Sequence, residues 1–207
     1  GKDAQQVLTR ACPCRPDFKP FSTKYTQILN EDGGIASDLT LTRISDNEFY
    51  IVTGTGFAIH DFEEIRSRIR PDQDAHLIDI TSAYAVLVVM GPSSRGLLSS
   101  VAQGDFAKEA FPFGACREVM IAGAPVRAMR VSFVGELGWE LHVPSEYAIS
   151  VYSALFDCGE KWGLRDAGYR SLDSLRLEKG NRLWGVELSP DYNPFEAGLG
   201  AFIDLKN

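Results

Sequence analysis

Apolar and polar positions alternate from Lys24 to Leu29 and again, with β-branched residues, from Ile35 to Ile44; the tight Asp32-Gly33-Gly34 turn joins them. Period-two alternation on both sides of a Gly-rich turn predicts a β-hairpin. A further turn at Ser45-Asp46-Asn47 leads to the strand Phe49 to Thr53, broken at Gly54 and Gly56, so a three-stranded meander is expected. Phe62, Ile65 and Ile69 then recur at helical spacing behind Asp61, a capping residue type, and Pro71 ends the run. That helix should lie on the sheet.

A second unit is expected from Leu77-Ile78-Asp79-Ile80 and the nearly continuous apolar run Tyr84 to Met90, which reads as a buried strand closed by Gly91-Pro92. Ser93 and Ser94 are placed to cap a short helix reaching Val101. Strands follow at Cys116 to Ile121, Val126 to Phe133 and Trp139 to Val143, separated by Gly123 and by Gly135 to Gly138. Ser145 opens a helix with Ile149, Tyr152, Leu155 and Phe156 on one face, and another helix spans about Tyr169 to Glu178. Strands mixed with helices, without strict alternation, indicate an α+β fold of antiparallel or mixed sheets with helices packed on them. The polar, Pro-containing stretch Pro71 to Ala75 is the expected seam, dividing residues 1–207 into 1–73 and 74–207.

At 207 residues and 44% hydrophobic content the chain has enough material for a core. A net charge of -7, without a Lys/Arg block, argues against nucleic acid or an anionic membrane as partner and for a small molecule or a protein. No apolar run approaches the roughly 20 residues of a membrane span. Cys12, Cys14, Cys116 and Cys158 match neither a disulfide framework nor a zinc pattern, so reduced structural thiols and no metal are expected. His60, His76 and His142 lack a triad pattern. Gly54-Thr55-Gly56 lacks the remaining spacing of a dinucleotide fingerprint, which puts any flavin domain outside these residues.

Four motifs carry candidate chemistry. Tyr25 to Leu39 reads Y-x-x-x-L-N-x-x-G-G-x-x-x-D-L; Ser132 to Glu140 reads S-F-V-G-E-L-G-W-E; Ala167 to Gly180 and Asn193 to Gly200 supply the others. Together they resemble the folate-binding aminomethyltransferase family, glycine-cleavage T-protein-like, in the branch of sarcosine and dimethylglycine dehydrogenases. The resemblance implies a folate-binding domain built of two ferredoxin-like units, with tetrahydrofolate as cofactor. Its implied activity is capture of an iminium or formaldehyde unit, released by oxidative demethylation, as methylene-tetrahydrofolate. FAD is implied only on a separate dehydrogenase domain, in cis or trans. Bacterial cytoplasm or mitochondrial matrix is the implied compartment.

Asp38 follows the Gly-Gly turn among apolar neighbours, so partial desolvation would raise its pKa and suit it to proton handling; a solvent-facing strand aspartate is the alternative. The family match assigns it the catalytic place beside the folate nitrogen that accepts the one-carbon unit. Glu140, on an in-out strand, is either a surface glutamate or, as in the family, a carboxylate accepting two hydrogen bonds from the pterin edge. Tyr25, Phe111 and Phe113, with Phe133 close by, are candidates to sandwich the ring, or else ordinary core aromatics. Glycine-cleavage aminomethyltransferases have tyrosine where Phe133 stands and arginine where Leu172 stands, and Arg170 is the candidate replacement charge. Two other readings remain: a glycine-cleavage aminomethyltransferase, and a non-catalytic folate-binding or regulatory module.

Gly1 to Ala4 resembles the G-P-D-A that follows an N-terminal family segment, and Leu205-Lys206 the start of a C-terminal barrel. The chain is therefore expected to be a piece of a longer protein.

Overall fold

The computed structural model describes residues 1–205; Lys206, where the barrel is expected to begin, lies outside them. The chain divides into two compact units, Gly1–Asp79 with Arg182–Asn207, and Ile80–Asn181. The boundary thus falls after Asp79 rather than within Pro71 to Ala75, and the last segment returns to the first unit. Two antiparallel sheets with helices make an α+β fold.

The first unit starts with a helix that the pattern reading does not anticipate, α1 (Ala4–Ala11), which buries Val7, Leu8 and Ala11. The meander follows as expected: β1 (Ser22–Leu29), β2 (Ile35–Arg43) and β3 (Phe49–Thr53), in that order and antiparallel. Its tight corner is organised by Asn30, whose side-chain oxygen accepts from the backbone N–H of Asp32 (3.1 Å) and Gly34 (2.7 Å). Gly33 takes φ +82°, open to glycine at little cost. At Gly34 an added Cβ would meet the carbonyl of Pro190, so the returning C-terminal segment packs directly on the turn.

Helix α2 (Ala58–Ser67) begins three residues before the expected cap. Asp61 lies within its first turn, 2% exposed, and caps nothing; a short turn at Thr55–Phe57 starts the helix instead. Ile65 joins Ile28, Leu39, Leu41, Leu8 and the thiol-bearing Cys12 and Cys14 in one core. A smaller cluster forms where Leu188 and Ala197 cover Ile35, and the Trp184 indole donates to the Ile35 carbonyl at 3.1 Å.

In the second unit, β4 (Tyr84–Met90), α3 (Ser94–Val101), the two-residue β5 (Ala102–Gln103), β6 (Cys116–Ile121), β7 (Ala124–Met129) and β8 (Gly138–Pro144) precede α4 (Ala148–Gly159) and α5 (Tyr169–Glu178). The sheet order is β4-β8-β7-β6-β5. Being at the edge, β4 is not the buried strand its apolar run suggests: Val86 and Val88 are 45% and 51% exposed while Val89 is buried. No strand forms at Leu77 to Ile80. Ser94 donates its hydroxyl to the Leu137 carbonyl (3.0 Å), and neither Ser93 nor Ser94 caps α3 through its side chain.

Helix α4 presents Val151, Leu155 and Gly159 to the core, whereas Ile149 and Tyr152 of the expected face are exposed. Trp139, Leu141 and Val143 supply the core face of β8 and pack with Leu97, Leu98, Phe106 and Phe111. The opposite face of the strand is left to Glu140 and His142.

Candidate functional site

In the first unit the hairpin register sets the chemistry. Gln27 stands opposite Asp38 and Tyr25 opposite Thr40, so Tyr25, Gln27 and Asp38 share one face of the sheet. The Tyr25 hydroxyl donates to Asp38 Oδ2 at 2.9 Å. Tyr25 also meets the Phe202 ring edge-on at 5.0 Å.

Burial pushes the Asp38 carboxyl above the usual aspartate range; the Tyr25 hydrogen bond pulls it down and the negative field of Asp61 adds to the rise. Burial, and then the charge on Asp38, push the Tyr25 phenol up as well, so Tyr25 remains a donor. Asp61 is itself held by His60 Nδ1 at 3.0 Å. Neither Asp61 nor the Tyr25 donor bond is anticipated from the pattern, although the bond is legible once the register is known.

The sign for stability follows from the raised carboxyl. Folding holds the Asp38 proton more tightly than the unfolded chain does, so its favourable contribution is complete below the unfolded aspartate value and is lost as pH rises through the folded one. Asp38→Asn is therefore expected to raise Tm at neutral pH, with the gain vanishing on acidification below the ordinary aspartate pKa. Thermal unfolding followed at neutral and acidic pH checks this; an equal gain at both would contradict it.

In the second unit Glu140 points away from the core, its side chain 23% exposed, across from Val88 and Met129. Its Oε2 lies 3.5 Å from Nε2 of His142, which is 1% exposed on the same face two residues on. His142, expected only as a strand histidine, therefore backs the carboxylate; the i, i+2 spacing is the signal that reveals it.

The aromatic expectations divide. Phe111 is a core residue and not a ligand surface: it is fully buried, with ring centroids 5.3 Å from Phe106 and 5.7 Å from Trp139. Phe113 is 74% and Phe133 38% exposed. Because β7 ends at Met129, Phe133 sits in the following loop, where its carbonyl accepts from the Asn181 amide at 2.6 Å. That loop is further tied by the Lys179–Glu136 pair at 3.1 Å. Arg170 is exposed on the first turn of α5.

One cleft of the first unit is lined by residues 9–13, Leu29, Asn30, Arg68, Ile203 and Asp204, and one of the second by residues 89–94, Leu97 and residues 162–165. Neither includes Asp38, Tyr25 or Glu140. The four cysteines are free; Cys116 is pushed up to about 11, chiefly by burial, as befits an inert core thiol. Among the described residues no helix is long and apolar enough to cross a membrane, and no His/Cys/Asp/Glu group suits a metal ion.

An α+β architecture of two antiparallel sheets with helices agrees with an aminomethyltransferase-type domain. The model of the GCVT N-terminal domain matches residues 1–207, and the chain belongs to that family. It is 41% identical to human mitochondrial sarcosine dehydrogenase over 221 aligned residues, covering all of this chain and 24% of that protein. Against the aminomethyltransferase of Streptomyces coelicolor it is 37% identical over 91% of the chain and 50% of the relative. The glycine cleavage system aminomethyltransferase T of Bartonella henselae superposes with TM-score 0.85 and 26% identity, over 98% of this chain and 53% of that one. The chain thus spans about a quarter of the dehydrogenase relative and half of the aminomethyltransferase ones.

Proposed function

We propose that this chain is the tetrahydrofolate-binding part of a sarcosine or dimethylglycine dehydrogenase-like enzyme, where it receives an iminium or formaldehyde unit and yields methylene-tetrahydrofolate. The observation that carries the reading is the Tyr25–Asp38 pair: a carboxyl held protonatable by burial, with a fixed donor on one oxygen. Tetrahydrofolate supplies the nitrogens that take up the one-carbon unit. With formaldehyde one water leaves, so protons must pass from nitrogen to the departing oxygen. Asp38 is suited to that transfer because its pKa is moved toward the working pH. Tyr25 orients the carboxyl and stays protonated while it does so.

Glu140 fits the other polar requirement, a carboxylate with two oxygens for adjacent N–H donors of a pterin edge, while His142 behind Oε2 limits its rotation. Phe133 and Phe113 are exposed aromatics available for stacking, and Arg170 an exposed cation; Phe111 takes no part. Flavin chemistry belongs, in this reading, to a separate domain in cis or trans. Phe133 and Leu172, which stand where glycine-cleavage aminomethyltransferases carry tyrosine and arginine, favour the dehydrogenase branch over that alternative.

Binding alone gives a direct check. A ligand that binds only the folded chain stabilises it by about 2.7 kcal/mol at a hundred times its Kd. Tm should therefore climb steadily with tetrahydrofolate concentration. A flat response up to millimolar ligand would contradict folate binding by this chain.

A further inference from the structure

Gln27 is a fully buried residue on the Tyr25–Asp38 face, and among the described residues neither its Oε1 nor its Nε2 has a hydrogen-bond partner. Burying an amide without partners is costly, and a hydrophobe of the same length would avoid that cost. The position argues for a use. Gln27 lies directly across from Asp38 in register and two residues along the strand from Tyr25. Opposed Cβ atoms in such a ladder are about 4.5–5.5 Å apart, within reach of a glutamine side chain. The amide is already close enough to the Tyr25 hydroxyl to favour its ionised form, yet makes no bond of ordinary geometry with it.

We infer that Gln27 is a positioning residue for Asp38: its Nε2–H is the second donor to the carboxylate, taken up when Asp38 loses its proton and idle when Asp38 holds it. Tyr25 satisfies one oxygen in both states, but an ionised carboxylate has lone pairs for further donors. The groups bearing on the pair are Tyr25 from β1, and Asp61 from α2 with His60 against it. Asp61 opposes ionisation and Tyr25 favours it. Gln27 adds a neutral donor that strengthens only as charge develops, and so holds the anion in one orientation.

The inference rests on the role proposed for Asp38, but its test requires neither folate nor turnover. The Asp38 side-chain carboxyl is followed by carbon-13 NMR across a pH titration, with its resonance assigned by its loss in Asp38→Asn. Gln27→Met keeps the length and removes the donor. Its Asp38 midpoint should move up by about one pH unit, the scale of one hydrogen bond to a charged group, while Tm holds or rises at acidic pH, where the amide is idle. Tyr25→Phe, which deletes a donor seen in the structure, gives the comparison for size and should shift the midpoint the same way. An unmoved or lowered midpoint in Gln27→Met, with or without a loss of Tm, overturns the inference. Should that variant fail to fold, Gln27→Asn withdraws the amide by one methylene and is judged by the same upward shift, an unmoved midpoint again overturning it. Failure of tetrahydrofolate to bind the parent chain counts against the folate reading and leaves this titration interpretable.

Discussion

Replacing Asp38 with Asn is expected to lower one-carbon transfer to tetrahydrofolate by about 10²–10⁴-fold, the usual contribution of a placed proton-transfer group, with folate affinity held within about threefold. The amide keeps the size of the carboxyl and still accepts from the Tyr25 hydroxyl, which now sits 2.9 Å from Oδ2, so the hairpin should not move. It removes the carboxyl on that face, whose pKa burial has lifted. Only the step that passes a proton should suffer. Single-turnover mixing of tetrahydrofolate with formaldehyde, read by absorbance and beside a binding titration, separates the two quantities. Equal losses in both would show that Asp38 binds ligand, and an unchanged rate would remove it from the chemistry.

The largest structural loss is expected from Trp139→Ala. Trp139 is fully buried at the centre of the second unit, edge-on to Phe106 at 5.5 Å and to Phe111 at 5.7 Å. The guanidinium carbons of Arg95 and Arg130 lie 5.2 and 5.7 Å from its ring. Truncating a large aromatic in such a core costs about 3–5 kcal/mol. For a chain of this size that corresponds to a fall in Tm of roughly 6–20 °C. The effect also reaches the face proposed to meet folate, because Trp139 anchors the strand that carries Glu140 on its other side. Guanidinium or thermal unfolding measures the loss, and a change under about 1 kcal/mol would contradict the packing described.

The meander was legible because β1 and β2 alternate around a Gly-Gly corner, and the strand β3 and helix α5 match their expected bounds. Strand alternation puts Asp38, Glu140 and Tyr25 on the faces where the register has them, while the roles proposed for them come from motif resemblance alone. The edge position of β4 was not: a run such as Tyr84 to Met90 has no period, and pairing order is a nonlocal property. The α4 face was missed for a related reason, since its apolar residues surround much of the helix and only the core selects Val151 and Leu155 over Ile149 and Tyr152. Asp61 illustrates the ambiguity of a capping residue type, which also occurs inside a first turn. His142 and Gln27 needed register and burial, which alternation implies only after the strand partners are known. The return of residues 182–205 to the first unit depends on Leu188, Ala197 and Trp184 finding Ile35, a contact between segments far apart in sequence.

The central claim is that this chain binds reduced folate through Glu140. Calorimetric titration of tetrahydrofolate into the chain, and into its Glu140→Ala variant at matched folding stability, tests it most directly. Two hydrogen bonds to an ionised carboxylate at about 1.5–3 kcal/mol each imply a loss of at least 10²-fold in affinity. Saturable binding by the parent that disappears from the variant is the predicted result. Equal affinity of the two chains, or no binding by the parent, would contradict the account.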